Sequence, residues 1–352
     1  MIPTPLRLLG APGSPYTRKM LALLRYRRIP YQLILQGSRE SEGLPRPRVP
    51  LLPTFFLPAE NAASGDGGEL EAVTDSTPLI RRFEVAFEGR SVIPGDPALA
   101  FLDLLLEDFA DEWLTKAMFH YRWHFAPDIE KARRVLPLWA NPSVSDEAVA
   151  PFQAMIGERQ IERLRVVGSN EATAPVIEAS YRRILQRLDA HWTVQPFLFG
   201  GRPASADFAL FGQLTQLVGF DPTPAALALE TSPRVVAQVD RMEDLSGLEV
   251  DAADWIAADA VSESLRDLLR EVGRGYVPVM LANARAVAMG VEVVETEVDG
   301  ARWTQRPFPY QAKCLGWLRD AHAALDPAVS ERVDALLAGS GCEPLFAASL
   351  EE

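Results

Sequence analysis

Hydrophobic and polar positions alternate in short blocks over the first ninety residues and then settle into a long three-to-four period. Leu6-Arg7-Leu8-Leu9 reads as a strand, and residues 16–27, with Met20, Leu23 and Leu24 at helical spacing, as an amphipathic helix. Ile29-Pro30 stops that helix, and Tyr31-Gln32-Leu33-Ile34-Leu35 is a second strand, giving a β-α-β opening with a right-handed crossover. A Pro- and Arg-rich link covers 36–53. Thr54-Phe55-Phe56-Leu57 is a third strand and, after a Gly- and acid-rich loop, Glu71-Ala72-Val73-Thr74 a fourth, paired most simply as a hairpin. Asp75-Ser76-Thr77-Pro78 then starts a helix to about Glu88, with Asp75 or Ser76 as cap and a proline in the first turn.

Beyond this region the period is helical. Leu102, Leu105, Leu106, Phe109 and Trp113 form one apolar stripe along a long helix from Ala98 to about Arg122, and further helices are predicted at about 145–167, 174–192, 205–218 and 233–244. The last hundred residues read as helices at about 261–273 and 276–289, a hairpin at about 291–305 turned by Asp299-Gly300, and helices at about 309–324 and 328–338. No repeat, low-complexity tract or motif assigns this last segment a role. A cover packed on the helical part, or a piece of a subunit interface, is the expectation for it.

Composition narrows the function classes. With 352 residues, 48% of them apolar, the chain is long enough for two or three domains with a sizeable core. A net charge of -13 without any basic block opposes nucleic-acid binding. No stretch of 18 apolar residues and no signal-like N-terminus occurs, so a cytoplasmic protein that is not in a membrane is expected. Cys314 and Cys342 have neither disulfide-framework nor metal-ligand spacing, which fits a reducing compartment.

The most informative stretch is Ser14-Pro15-Tyr16-Thr17-Arg18-Lys19, which puts a hydroxyl at a strand-to-helix junction. Unpaired N–H groups of the first turn point out of such a junction, so a thiolate or carboxylate is stabilised there. Tyr16 and Thr17 are neighbouring alternative donors, whereas Arg18 and Lys19 read as solvated charges on the helix. Asp75-Ser76 creates a second helix start of the same kind.

The order β-α-β, β-β-α with a proline before the third strand resembles the thioredoxin-like N-terminal domain of the glutathione transferase superfamily. Ser14-Pro15-x-x-x-Lys19 is similar to the opening of serine-type members, Val49-Pro50-Leu51-Leu52-Pro53 to their cis-proline loop, and Asp75-Ser76 to the acidic-Ser pair that holds the γ-glutamyl end of glutathione. Pro50 and Pro53 compete for the cis bond; Leu52-Pro53 is favoured because Thr54 follows directly. Residues 36–49 depart from the family, since Gly and Pro predict loop where its second helix should stand. Phe197 to Phe208 resembles the loop and buried helix start of the all-α C-terminal domain, with Ala204 where a capping Ser or Thr is usual and Ser205 or Asp207 available instead.

The resemblance covers roughly residues 5–245. It implies an α+β thioredoxin-like domain (1–90), an all-α domain (95–248) and a helical extension with a hairpin (249–352). It implies a transferase that joins glutathione to a small apolar electrophile, or uses it to cleave one. Ser14 would hold the thiolate, and Leu52, Pro53, Asp75 and Ser76 would bind the tripeptide, possible homodimer formation being usual for such proteins. A non-catalytic member, its extension serving protein contacts, is the alternative. A glutathione-dependent reductase would want a cysteine at 14 or 17, and neither is one.

The acceptor should lie against the long helix, where Tyr16, Trp113, Lys116 and His120 are the candidates and the last three share a face. His120 and His124 also have a spacing that can join two imidazoles to one metal, with Glu112 on the same face. Without a Glu directly after the first His or a nearby Cys, they read as ordinary partly buried histidines, and no metal is expected. No Ser-His-Asp order or phosphate loop supports a hydrolase or nucleotide enzyme.

Overall fold

A computed structural model describes residues 2–59 and 70–347. The Gly- and acid-rich loop predicted before the fourth strand falls largely in 60–69, outside the described residues. Strands β1 (Leu6–Gly10), β2 (Tyr31–Leu35), β3 (Thr54–Pro58) and β4 (Leu70–Val73) form one sheet in the order β2-β1-β3-β4. β1 and β2 run parallel across helix α1 (Pro15–Tyr26), while β3 is antiparallel to both β1 and β4. This is a thioredoxin-like sheet, completed by helix α2 (Ser76–Ala86). The link before β3 holds one 3-10 turn, Arg39–Ser41, and is otherwise irregular, as its Gly and Pro content predicts.

The rest is helical. The single helix read over 98–122 is α3 (Pro97–Phe109) and α4 (Thr115–His124), joined by a π turn at Ala110–Leu114. Then follow α5 (Ala126–Val135), α6 (Asp146–Glu162), α7 (Ala174–His191), α8 (Ser205–Leu217), α9 (Pro222–Thr231) and α10 (Pro233–Met242). Sequence periodicity missed α5 and α9. Each starts with a proline in its first turn, which reads as a turn signal unless weighed as a helix start.

The C-terminal segment contains α11 (Glu263–Glu271), a π turn at Val272–Tyr276, α12 (Val277–Met289), the hairpin β5 (Val294–Val298) and β6 (Ala301–Gln305), α13 (Pro309–Ala323) and α14 (Pro327–Leu337). Asp299 and Gly300 both have positive φ, as a two-residue type I' hairpin turn needs.

α8 is buried along its whole length and is the axis of the molecule. It lies so close to α1 that a Cβ on Gly212 would come within 2.5 Å of the Pro15 carbonyl oxygen. Asp207 anchors its start, Oδ2 accepting from Ala204 N–H (2.9 Å) and Oδ1 from Leu198 N–H (3.0 Å). Ser205 has turned inward, its Oγ 2.6 Å from Asp103 Oδ2 and 2.8 Å from Glu107 Oε2 on α3, so of the two proposed substitutes for the missing cap it is Asp207 that serves.

Candidate functional site

Sheet register brings three of the predicted corners to one edge. Leu9 pairs with Thr54 and Phe55 with Val73, so the exit of β1, the entry of β3 and the exit of β4 are neighbours. Ser14, Leu52-Pro53 and Asp75-Ser76 hang from those three points. The Leu52-Pro53 bond is cis, the one of the two competing prolines that the sequence favoured; Thr4-Pro5 is cis as well.

Ser14 caps α1: its Oγ accepts the Thr17 N–H at 3.2 Å. With that lone pair engaged, the hydroxyl proton faces the Leu52 carbonyl at 3.5 Å, beyond ordinary O–H···O hydrogen-bond length and open to a better acceptor. The loop before it is held from the helical side. Arg122 Nη1 donates to the Gly13 carbonyl at 3.0 Å, Gln216 Nε2 to that of Pro12 at 3.2 Å, and Asp221 holds the Arg122 guanidinium. Trp139 lies against Gly13, where a Cβ would meet its ring at 2.2 Å. Of the two alternative donors, Tyr16 Oη donates to the Asp111 carbonyl (2.8 Å), while Thr17 Oγ1 is buried and accepts from Ala11 N–H (3.4 Å).

Asp75, just before α2, has φ +83° and ψ 111°. A non-glycine residue there costs on the order of 1–3 kcal/mol and persists only where its surroundings impose it. Its Oδ2 accepts from Tyr310 Oη (2.8 Å), a residue of α13 that sequence reasoning did not connect with the site. Burial pushes the Asp75 carboxyl up, against the opposing effect of that tyrosine. Ser76 is buried, and its Oγ receives Lys19 Nζ at 3.0 Å.

Lys19 corrects the expectation of a solvated charge, for it is fully buried. Its ammonium also donates to Glu107 Oε1 (2.8 Å) and Asp111 Oδ2 (2.6 Å). Burial alone would lower Lys19; Asp111 and Glu107 outweigh it and raise it. Glu107 would likewise rise on burial, but Lys19 and Arg81 hold it down to about 2. The neighbouring carboxyls behave otherwise: burial first, then mutual repulsion, raises Asp108 to about 7 and Glu112 to about 8, while Asp111 is raised by burial to about 6 despite Lys19. Arg18 by contrast is partly exposed and pairs with Glu243.

The acceptor candidates on the long helix make their hydrogen bonds elsewhere. Trp113 Nε1 donates to Ser180 on α7 (2.9 Å) and its ring packs on Trp303 of β6, centroids 5.4 Å apart. Lys116 Nζ donates to the Val167 carbonyl (3.0 Å) and Gln305 Oε1 (3.2 Å), and burial lowers it to about 8. His120 is buried with Nδ1 2.8 Å from Ser169 Oγ and Nε2 3.3 Å from Glu178 Oε1. Glu112, expected on the face of the two histidines, lies in the carboxyl group instead, beside Asp108 and Asp111. Trp113, Lys116 and His120 thus line a packed seam with α7, the loop before it and β6.

Residues 8–91 match the family model for the glutathione S-transferase N-terminal domain. Among solved structures, this chain is similar to a glutathione S-transferase of Methylobacterium radiotolerans in complex with glutathione sulfonate (19% identity over 68% of this chain and 90% of that one, TM-score 0.40). It is also similar to a glutathione S-transferase from Rhodospirillum rubrum (16%, 88% and 99%, TM-score 0.38) and to a Pseudomonas fluorescens glutathione transferase family member with two glutathiones bound (16%, 68% and 92%, TM-score 0.38). No curated protein matches the sequence. The matched residues include the ends of β1, β3 and β4, from which the three corners hang. No helix among the described residues is long and apolar enough to cross a membrane.

Proposed function

We propose that the protein is a glutathione transferase-like enzyme, and that glutathione lies across the corner between the α1 start, the Leu52-Pro53 loop and the α2 start. The observation that carries this is Asp75: a strained non-glycine backbone beside two helix N-termini is the kind of feature that persists where a ligand is held. Asp75 suits the γ-glutamyl ammonium, the Ser76 end of α2 its carboxylate, and the Leu52 backbone the peptide unit. Ser14 donates its proton to the sulfur, and the α1 N-terminus lowers the thiol below its ordinary pKa of about 8.5. The thiolate attacks a small apolar electrophile, the sulfur–carbon bond forming as the leaving group departs with its electron pair. Ser14 stabilises the anion and is not the nucleophile.

The reading extends to a cytoplasmic setting, to an acceptor against α4, to homodimers, and to division of the chain at about 90 and 248. A second reading, a non-catalytic relative whose extension serves protein contacts, is favoured by one observation: Tyr310 from the extension already occupies Asp75 Oδ2. Calorimetric titration with glutathione separates them. The enzyme reading expects binding in the millimolar range or tighter, weakened about tenfold or more in Ser76→Ala and retained or strengthened in Tyr310→Phe. Absence of binding to both wild type and Tyr310→Phe leaves only the second reading.

A further inference from the structure

Away from the Ser14 corner, α4 and α7 bring together two imidazoles and a carboxylate, His120, His124 and Glu178. His120 and His124 stand one turn apart on α4, their rings stacked with centroids 4.6 Å apart and planes 23° from parallel. Glu178 reaches them from α7, and one ligand atom from each of the three lies within 4.8 Å of the others. Tyr121 and Tyr181, ring centroids 5.2 Å apart, hold the two helices together beside this group.

The spacing accommodates an ion as well as a proton. His120 Nε2 and Glu178 Oε1 are 3.3 Å apart, long for an N–H···O bond. In a tetrahedral zinc site with bonds of about 2.0–2.1 Å, the edge between two ligand atoms is about 3.3–3.4 Å. One edge is therefore already set. His124 is exposed, so rotation of its side chain completes the third corner without moving the helix.

The other nitrogen of the buried imidazole is also provided for. Nδ1 of His120 lies 2.8 Å from Ser169 Oγ, a buried hydroxyl on the loop before α7. In the tautomer in which Nδ1–H donates to that oxygen, the Nε2 lone pair is aimed at Glu178. Such a partner on the second nitrogen is the usual companion of a metal-bound histidine, because it fixes ring orientation and tautomer.

We propose that His120 Nε2, His124 and Glu178 bind a divalent transition ion of the zinc class, with Ser169 as the positioning residue for the His120 ring. Two imidazoles and one carboxylate select Zn2+, Cu2+ or Ni2+ over Mg2+ or Ca2+. Three protein ligands leave a fourth position for water or an exchangeable anion on the side where His124 meets solvent. The ion also clamps α4 to α7.

Competing donors are few, since the chain has four histidines and two cysteines. His191 and His322 are each engaged elsewhere, with Ser264 and Phe197 and with Asp334 respectively, and both cysteines are buried. The test uses the whole chain without an affinity tag, titrated calorimetrically with Zn2+, with Co2+ absorption as a reporter of ligand geometry. One ion per chain is expected at about micromolar affinity or tighter. His124→Ala and Glu178→Gln, both at positions open enough to spare the core, each weaken it about tenfold or more. Ser169→Ala weakens it by about 10-fold while the Co2+ spectrum keeps its four-coordinate form. No ion bound at about 0.1 mM Zn2+, or equal affinity in the His124→Ala/Glu178→Gln double variant, overturns the proposal.

Discussion

The ammonium of Lys19 is surrounded by Ser76 Oγ, Glu107 Oε1 and Asp111 Oδ2, all within 3.0 Å. Glu107, held down to about 2, is ionised at neutral pH, so removing Lys19 leaves this buried carboxylate and Asp111 with Arg81 as the one remaining counter-ion to Glu107 among the described residues. Breaking one side of such a buried pair costs about 3–5 kcal/mol, whereas replacing both sides by apolar or neutral groups of similar size costs much less. Lys19→Met is therefore expected to lower stability by about that amount in urea unfolding, and Lys19→Met/Glu107→Gln to regain much of it. A double variant no better than the single would show that Glu107 is not the partner that matters. Ser14, half-buried, caps the helix that carries Lys19. A hydrogen bond to a charged sulfur is worth about 1.5–3 kcal/mol, so Ser14→Ala should slow thiol conjugation by about tenfold to a hundredfold and shift the pH–rate profile toward alkali. Unchanged rates would move the role to Thr17 or a backbone N–H, because the Tyr16 hydroxyl is already engaged.

α3, the π turn and α4 show what a periodic pattern does and does not carry. The stripe Leu102, Leu105, Leu106, Phe109 and Trp113 is buried, as the three-to-four spacing predicts. That stripe is silent about Asp103, Glu107, Asp111 and Glu112, which are buried as well because α1, α2, α8 and the C-terminal segment cover the opposite faces. Only tertiary packing decides that. The consequence is a defined pH dependence. Asp108 (about 7), Asp111 (about 6) and Glu112 (about 8) hold protons in the native state that the unfolded chain releases near pH 4. Where the native state binds more protons, stability falls as pH rises, so this contribution is full below about pH 4 and is lost toward pH 8. Glu107 acts oppositely: its contribution is present above about pH 4 and fades as pH drops toward 2. Stability measured by urea midpoint should therefore be higher near about pH 5 than about pH 8.5, and Asp108→Asn/Glu112→Gln should flatten that slope. An unchanged slope would mean these carboxyls are ionised in the native protein.

Across the whole molecule, the three corners at the sheet edge were legible because each is a local signal: a cap, a proline before a strand, an acidic-Ser helix start. The contributions of distant chain were not. Tyr310 reaches Asp75 over 235 residues, Glu178 reaches His120 over 58, and Trp303 and Gln305 close over Trp113 and Lys116, none of which leaves a pattern in one sequence. These contacts also decide what the last hundred residues are. Tyr276 of the second π turn donates to Asp108, Gln311 Nε2 to the Glu112 carbonyl at 3.2 Å, and Glu271 holds both Ser180 and Arg183 of α7. Buried polar groups on α3, α4 and α7 therefore depend on this segment for their partners, and each group left without one costs about 1–3 kcal/mol, comparable in sum to the whole stability of a domain. The segment is a structural cover of the helical part rather than an appendage. A chain ending at residue 248 should fail to unfold cooperatively and should bind a hydrophobic dye, whereas the full chain should show coincident loss of near- and far-ultraviolet circular dichroism. A truncated chain that melts cooperatively and binds glutathione as the full chain does would show the cover to be dispensable and the Tyr310 contact incidental.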